Sequence, residues 1–333
     1  MIMLNLQLFA TNTTGTSTLS VEMKTYYDKQ LLDNAEPELV HRQFGQKRPL
    51  PKNGGKTIEF RSFSSLPKAT TALTEGVTPA GKSLTASNVT ATIAQYGDYV
   101  EVSDLLDMTA YDPIILETNK LLGSQAGRTL DTISRNEMNS GTNVVYQSKS
   151  GGTAVTSRAT LDATCLLTPE TVFKAAAMLK AKNAPKINGD YVAIIHPHVA
   201  KDFMIANTGL GSWMDVNKYA DAKKIFEGEI GKIGNVRFVE SSEAKIWSGD
   251  GCPSGLAVYS VLVLGEGAYG VTDLEGGGLQ MFVKQLGSSG TADPINQRAT
   301  VGWKAATVTK ILAQEYMVRI ECTSSFSGST TAN

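Results

Sequence analysis

The most regular hydrophobic pattern in the chain lies between Tyr111 and Gly141, where Ile115, Leu122, Ala126, Leu130 and Ile133 recur at spacings of seven, four, four and three. Those spacings place one narrow apolar stripe on a helix, with Glu117, Lys120, Arg128, Asp131 and Arg135 directed elsewhere. Asp112 is placed to act as N-cap and Pro113 occupies the first helical position, where a missing N–H costs nothing; Asn139-Ser140-Gly141 ends the run. About 27 residues at 1.5 Å each give a rod of roughly 40 Å. Gly123 and Gly127 each cost about 1 kcal/mol relative to Ala inside a helix, so another backbone is expected to pass close to them.

Before this helix the periodicity is two. KTIEFRSF from Lys56 and VTATIAQYGDYVEV from Val89 to Val102 both alternate, and they are expected to pair as a hairpin. The connection, Ser64 to Asn88, is rich in Ser, Thr, Gly and Pro and far longer than an ordinary hairpin loop. Its apolar residues are isolated, Leu66, Leu73, Val77 and Leu84 among them, which is too few to order the segment on its own subunit. Ahead of it, residues 1–45 read as a polar arm with a short helix near Val21 to Leu32.

After a Gly151-Gly152 linker the pattern becomes mixed. Thr168-Pro169 opens a helix that Pro185 stops, YVAIIH forms an apolar strand, and Pro197 opens another short helix, as in a compact α/β lobe. Strands are then expected at Asn235 to Ser241, Ala257 to Leu264, Leu279 to Gln285, Thr300 to Ala306 and Glu315 to Thr323, the last with Tyr316, Val318, Ile320 and Cys322 on one face. Ser324 to Asn333 is a polar tail with nothing to bury.

Composition adds exclusions. The 333 residues are 41% apolar, enough for a substantial core in two or three lobes, and 31 Lys and Arg against 32 acids leave a net charge of -1, which argues against tight binding of nucleic acid or an anionic membrane. Cys165, Cys252 and Cys322 are widely spaced without any C-x-x-C, so buried thiols are expected and a zinc site is not. MIMLNLQLFA lacks the basic start of a secretory signal, and no apolar run reaches membrane-spanning length.

Two phosphate motifs occur. Gly76 to Ser83 matches G-x-x-x-x-G-K-[ST], but polar residues precede it and an alternating strand follows, where a nucleotide site needs a buried strand and then a helix. Gly265-Glu-Gly267-Ala-Tyr-Gly270 matches G-x-G-x-x-G but is followed by the turn-rich VTDLEGGGLQ. His196, His198 and Asp202 could gather around a metal, although Pro197 at a helix start accounts for the sequence without one. No nucleophile is paired with a base, so no catalytic, cofactor-binding or metal residues are assigned.

The order of parts, together with runs such as ELVHRQFGQKRPLP, LTEGVTPAGKSL, YGDYVEVSDLL, IIHPHVAKDF, FEGEIGKIGNVRFVES, LVLGEGAYG and DPINQRATVGWKAA, resembles the major capsid proteins of tailed bacteriophages with the Hong Kong 97-like fold, and in particular the family named for coliphage N-four. The resemblance implies an α+β fold divided into an N-terminal arm (1–45), an extended loop built on a two-stranded hairpin (46–108), a peripheral domain with the spine helix (109–165), an axial domain (166–280), and returning strands with a polar tail (281–333). It implies a non-enzymatic structural protein without cofactors, whose copies build pentamers and hexamers of an icosahedral head around double-stranded DNA. The extended loop would lie on a neighbouring subunit, with Arg61, Lys68, Glu75 and Lys82 as intersubunit contacts. Implied partners are further copies of the chain, a separate scaffolding protein, a portal, a decoration protein, and packaged DNA in passive contact; the implied location is the virion, assembled in the bacterial cytoplasm. The alternatives are an encapsulin-like nanocompartment shell and a nucleotide-binding enzyme using Gly76 to Ser83.

Overall fold

A computed structural model of the chain describes residues 31, 34, 35, 39–63, 66, 68–73, 75–78, 80–84, 86–109, 114–205, 229–287 and 293–333. The expected arm helix, apart from Leu31, and the Asp112-Pro113 cap lie outside the described residues. The chain divides into two compact units, one of Met1–Gln43, Ala94–Ile133 and Leu274–Thr307, the other of Phe44–Ile93, Ser134–Asp273 and Val308–Asn333.

The strands are β1 (Gln46–Lys47), β2 (Thr57–Phe63), β3 (Ala86–Thr92), β4 (Ala94–Ser103), β5 (Val144–Tyr146), β6 (Tyr191–Ile195), β7 (Glu229–Ile233), β8 (Val236–Glu240), β9 (Ile246–Trp247), β10 (Val258–Leu264), β11 (Tyr269–Asp273), β12 (Gln280–Lys284), β13 (Arg298–Ile311) and β14 (Met317–Cys322). The helices are α1 (Asp104–Thr109), α2 (Ile114–Met138), α3 (Pro169–Ala181) and α4 (Pro197–Ile205).

In the first unit, β13 pairs antiparallel with β12 on one side and β4 on the other. The expected stripe of α2 supplies Leu122, Ala126 and Leu130 to a core shared with Leu31 and with Val301, Trp303 and Ala305 of β13. Those β13 residues alternate because successive strand side chains point to opposite faces. Trp303 Nε1 donates to Gln125 Oε1 at 3.2 Å, and Gln125 Nε2 donates to Asp98 Oδ2 at 2.7 Å, so the indole N–H is satisfied where the ring is buried.

The second unit is built on a seven-stranded mixed sheet in the order β5-β14-β10-β6-β8-β7, with β9 also on β10. Every residue of β6 and β10 is buried, as expected for central strands covered on both faces. Val172, Ala175, Ala176 and Leu179 of α3 and Val199, Ala200 and Phe203 of α4 pack in the same core as Val318, Ile320 and Cys322 of β14, the last three on the face that alternation assigned them. The same unit holds the β2–β3 hairpin, anchored at its base by buried Phe60, which lies beneath the Arg48 guanidinium.

Two expectations are corrected here. The single strand expected over Val89 to Val102 is two strands: β2 pairs with β3 alone, in register from Thr57↔Thr92 to Phe63↔Ala86, while β4 belongs to the sheet of the other unit. A period of two runs through both strands unbroken, so alternation cannot reveal where a chain changes sheets. Asp131 and Arg135, assigned to the polar side of the spine helix, are buried. Asp131 accepts from His41 N at 2.7 Å and faces His41 Nδ1 at 2.6 Å; Arg135 Nη1 donates to Glu243 O at 2.6 Å. A buried charge is stable only with such partners.

Gly123 meets the expected close backbone. A Cβ there would stand 2.9 Å from Asn34 Cβ and 3.0 Å from the carbonyl oxygen of Leu31. Gly127 is buried as well. Gly123→Ala should therefore lower the urea midpoint, costing about 1 to 3 kcal/mol through overpacking against a helix-propensity gain of about 1 kcal/mol. A midpoint equal to or above that of the parent would show that the segment at Leu31 yields without cost.

Candidate functional site

The connection between β2 and β3 spans residues 64–85. Each of its described residues is exposed, and Leu66, Leu73, Val77 and Leu84 expose 54%, 76%, 63% and 69% of their surface. Arg61 on β2, opposite Asn88, and Lys68, Glu75 and Lys82 in the connection are all exposed. The Gly76 to Ser83 motif lies in this connection, and the element that follows is the strand β3. Without a helix N-terminus to aim backbone N–H groups, it is not a phosphate cradle. Gly265 to Gly270 joins β10 directly to β11 through a turn with Gly267 at φ 73°, again a strand where a dinucleotide site needs a helix.

The His196, His198 and Asp202 group turns its polar atoms to protein partners. His196 Nδ1 accepts the His198 backbone N–H at 3.1 Å, and His198 Nδ1 lies 2.8 Å from Tyr259 Oη, which donates to Thr330 Oγ1 at 3.0 Å. Asp202 accepts from Ser324 Oγ at 2.7 Å, from Ser325 N at 2.6 Å and from Ser325 Oγ at 2.7 Å. The imidazole of His198 stacks on Phe326 with ring centres 4.5 Å apart. These residues hold the segment after β14 in place. The polar tail, expected to remain unburied, is thus corrected: Ser324 and Ser327 are buried, and Asn333 Nδ2 donates to Ala244 O at 2.9 Å. Hydrogen bonds to partners inside the unit order a segment that has little apolar area to bury.

Other buried charged groups are also paired inside the protein. Glu321, with no exposed surface, receives Arg158 Nε and Nη2 at 2.8 and 2.7 Å as a bidentate pair and Arg319 Nε at 2.9 Å. The Arg158 guanidinium lies 3.8 Å from the centre of the Trp247 ring, and Arg319 Nη1 donates to the carbonyls of Asn139 and Gly141. Burial would raise the Asp190 pKa, but hydrogen bonds from Lys232 and Arg237 outweigh it and hold the carboxyl below its usual value. Burial lowers the His196 pKa to about 4, helped by the neighbouring His198 and opposed by a hydrogen bond to the Ser242 backbone.

The family profile for phage capsid protein matches residues 87–320. The chain belongs to that family. As a phage capsid protein it builds the head shell that encloses the phage genome, and its place is in the virion. No curated protein matches it in sequence. Among solved structures, the capsid of Ralstonia phage GP4 superposes with a TM-score of 0.67 at 15% identity, covering 97% of this chain and 98% of that one. The capsid protein of cyanophage Pam1 gives 0.62 at 15% identity over 96% and 98%. The virus-like particle from Pyrococcus furiosus gives 0.50 at 13% identity over 90% and 100%. The likeness shows the α+β Hong Kong 97-like fold expected from the sequence.

Two stability predictions follow from the buried polar groups of this capsid protein. Because the unfolded chain protonates His196 near the ordinary 6.5 and the folded chain only near 4, stability is complete above about pH 6.5 and is lost between there and about pH 4, by about 3 kcal/mol in all. Urea midpoints should fall through that window and fall less for His196→Asn; a parent midpoint unchanged between about pH 7 and about pH 5 would refute the assignment. Glu321→Gln, which leaves two guanidinium groups without their counter-charge, should cost about 3 to 5 kcal/mol, read by thermal or urea unfolding. A loss under about 1 kcal/mol would show that the arginines find other partners.

Proposed function

We propose that the chain acts as the major capsid protein through a purely structural, non-enzymatic role: copies join into pentamers and hexamers, and the connection between β2 and β3 lies on a neighbouring copy. The observation that carries this reading is the exposure of Leu66, Leu73, Val77 and Leu84 in one connecting segment. Isolated apolar side chains cannot offset the entropy of ordering residues 64–85 against their own subunit, so contacts from a second copy supply the remainder. Arg61, Lys68, Glu75 and Lys82 would then form polar contacts around those anchors. Residues 109–165 would serve as a peripheral domain and 166–280 as an axial domain, with 1–45 as an arm between subunits.

Different patches meeting head to tail close into rings, and rings tied by arm and loop close into a shell. A net charge of -1 suits a container for double-stranded DNA, because each neutralised phosphate would add salt-dependent affinity and hold back a genome that must move. Assembly in the host cytoplasm with a separate scaffolding protein, a portal and a decoration protein completes the proposal. An encapsulin-like shell is the second reading, and the phage capsid family match over residues 87–320 disfavours it.

Replacing residues 64–85 with a short Asn-Gly turn tests the role of the loop, since β2 and β3 pair outside it, from Thr57↔Thr92 to Phe63↔Ala86. The shortened protein should remain soluble with a near-parental circular dichroism spectrum and yield no closed shells where the parent does, as seen by negative-stain microscopy. Shells of normal size would refute the proposal, and an unfolded product would place the loop in the fold itself.

A further inference from the structure

The outer face of the β12–β13–β4 sheet carries a slot. The register aligns Phe282, Gly302 and Tyr99 in one cross-strand row, flanked on the same face by the rows Gln280–Lys304–Gly97 and Lys284–Thr300–Glu101. Phe282 and Tyr99 are 49% and 63% exposed. With strands about 4.8 Å apart, the two aromatic residues flank the glycine at a spacing of roughly 10 Å, and the row is lowest between them. The glycine is required, since a Cβ at 302 would stand 2.7 Å from Tyr99 Cβ and 2.9 Å from the Asp98 carbonyl oxygen. The groove around this row has a volume of about 520 Å³.

A complementary feature occurs in the same unit. Helix α1 exposes Leu105, Leu106 and Met108 by 68%, 47% and 75%. Its start is fixed by Asp104 N donating to Gln297 O at 3.0 Å and by Ser103 Oγ accepting from Leu106 N at 3.3 Å. Leu105 and Met108, three residues apart, share a helix face.

The charges match as well. The α1 segment contains Asp104 and Asp107. The slot is flanked by Lys284 and Lys304, and neither forms an ion pair among the described residues, whereas the acids of that strand are engaged: Asp98 by Gln125 and by Tyr99 N, Glu101 by Arg298 at 3.8 Å. A copy cannot fill its own slot, because α1 leaves β4 five residues beyond Tyr99, roughly 17 Å further along the strand.

We propose that α1 of one copy docks Leu105 and Met108 into the Tyr99–Phe282 slot of a second copy, with its acids near Lys284 and Lys304. This inference rests on the chain being a shell-forming subunit. Helix and slot are different patches, so the contact is head to tail and propagates around a ring.

The test is a cysteine pair, Met108→Cys with Phe282→Cys, in assembled particles under mild oxidation. Expected is a ladder of covalent oligomers on a non-reducing gel that neither single variant gives; Cys165 and Cys322 are buried, and the single variants control for the half-buried Cys252. Particles that form normally without the ladder would overturn the proposal. A ladder from Val77→Cys with Phe282→Cys would also overturn it, by assigning the slot to the long loop. Should the cysteine variants fail to assemble, charge reversal decides: Lys284→Glu with Lys304→Glu should raise the concentration needed for assembly by roughly tenfold or more, and adding Asp104→Lys with Asp107→Lys should restore it. Failure of that rescue in folded protein counts against docking. If the parent itself forms no particles, the shell reading fails, and the cysteine pair at high subunit concentration still decides the docking by bonding or not bonding.

Discussion

A carboxylate that sees no water, that of Glu321, imposes the strictest condition on the larger unit. Its charge must be balanced within hydrogen-bond distance or the sheet cannot close over it. Arg158 and Arg319 meet that condition, and each brings its own obligations: Arg158 covers Trp247, and Arg319 donates to the carbonyls just beyond the end of α2. One buried ion thereby fixes the end of the spine helix, the segment at Arg158, the short β9 and the strand β14 relative to one another. Removing the arginines together with the acid is a different perturbation from removing the acid alone, because only the latter leaves buried charge unmatched.

Polar satisfaction and apolar exposure are divided in this protein. In the larger unit, Asp190, Asp202, His196 and Glu321 have found internal partners, and the segment after β14 is held by hydrogen bonds together with the stacking of Phe326 on His198. Exposed apolar residues occur, among other places, in the β2–β3 connection of that same unit and, in the smaller unit, in α1 and on the outer face of the β12–β13–β4 sheet. Under the proposed function these residues are kept for neighbouring copies.

The sequence made legible what depends on local period. The spine helix, α3, α4, β6, β8, β10, β12 and β14 stand where spacing and Pro or Gly punctuation placed them. It was silent where partners are remote. His41 and Asp131 are 90 positions apart and Arg158 and Glu321 are 163 apart, so no window of the sequence contains either pair. Helix α1 is too short for helical periodicity to show, and β5, β7, β9 and β11 are short or Gly-containing strands whose pairing comes from the sheet around them. The row Phe282–Gly302–Tyr99 was hidden for another reason: its members come from three strands, and only the register makes them neighbours.

That dependence on register gives the row an additional property. A slip of β12 by one residue against β13 would turn Phe282 to the inner face and bring Met281 or Val283 out, and a slip of β4 would do the same to Tyr99. The aromatic pair with a glycine between them therefore exists only on a subunit whose three strands have paired correctly. Misregistered chains would present a different surface, so a copy docking by the proposed contact would meet its aromatic row only on a subunit whose strands have paired correctly.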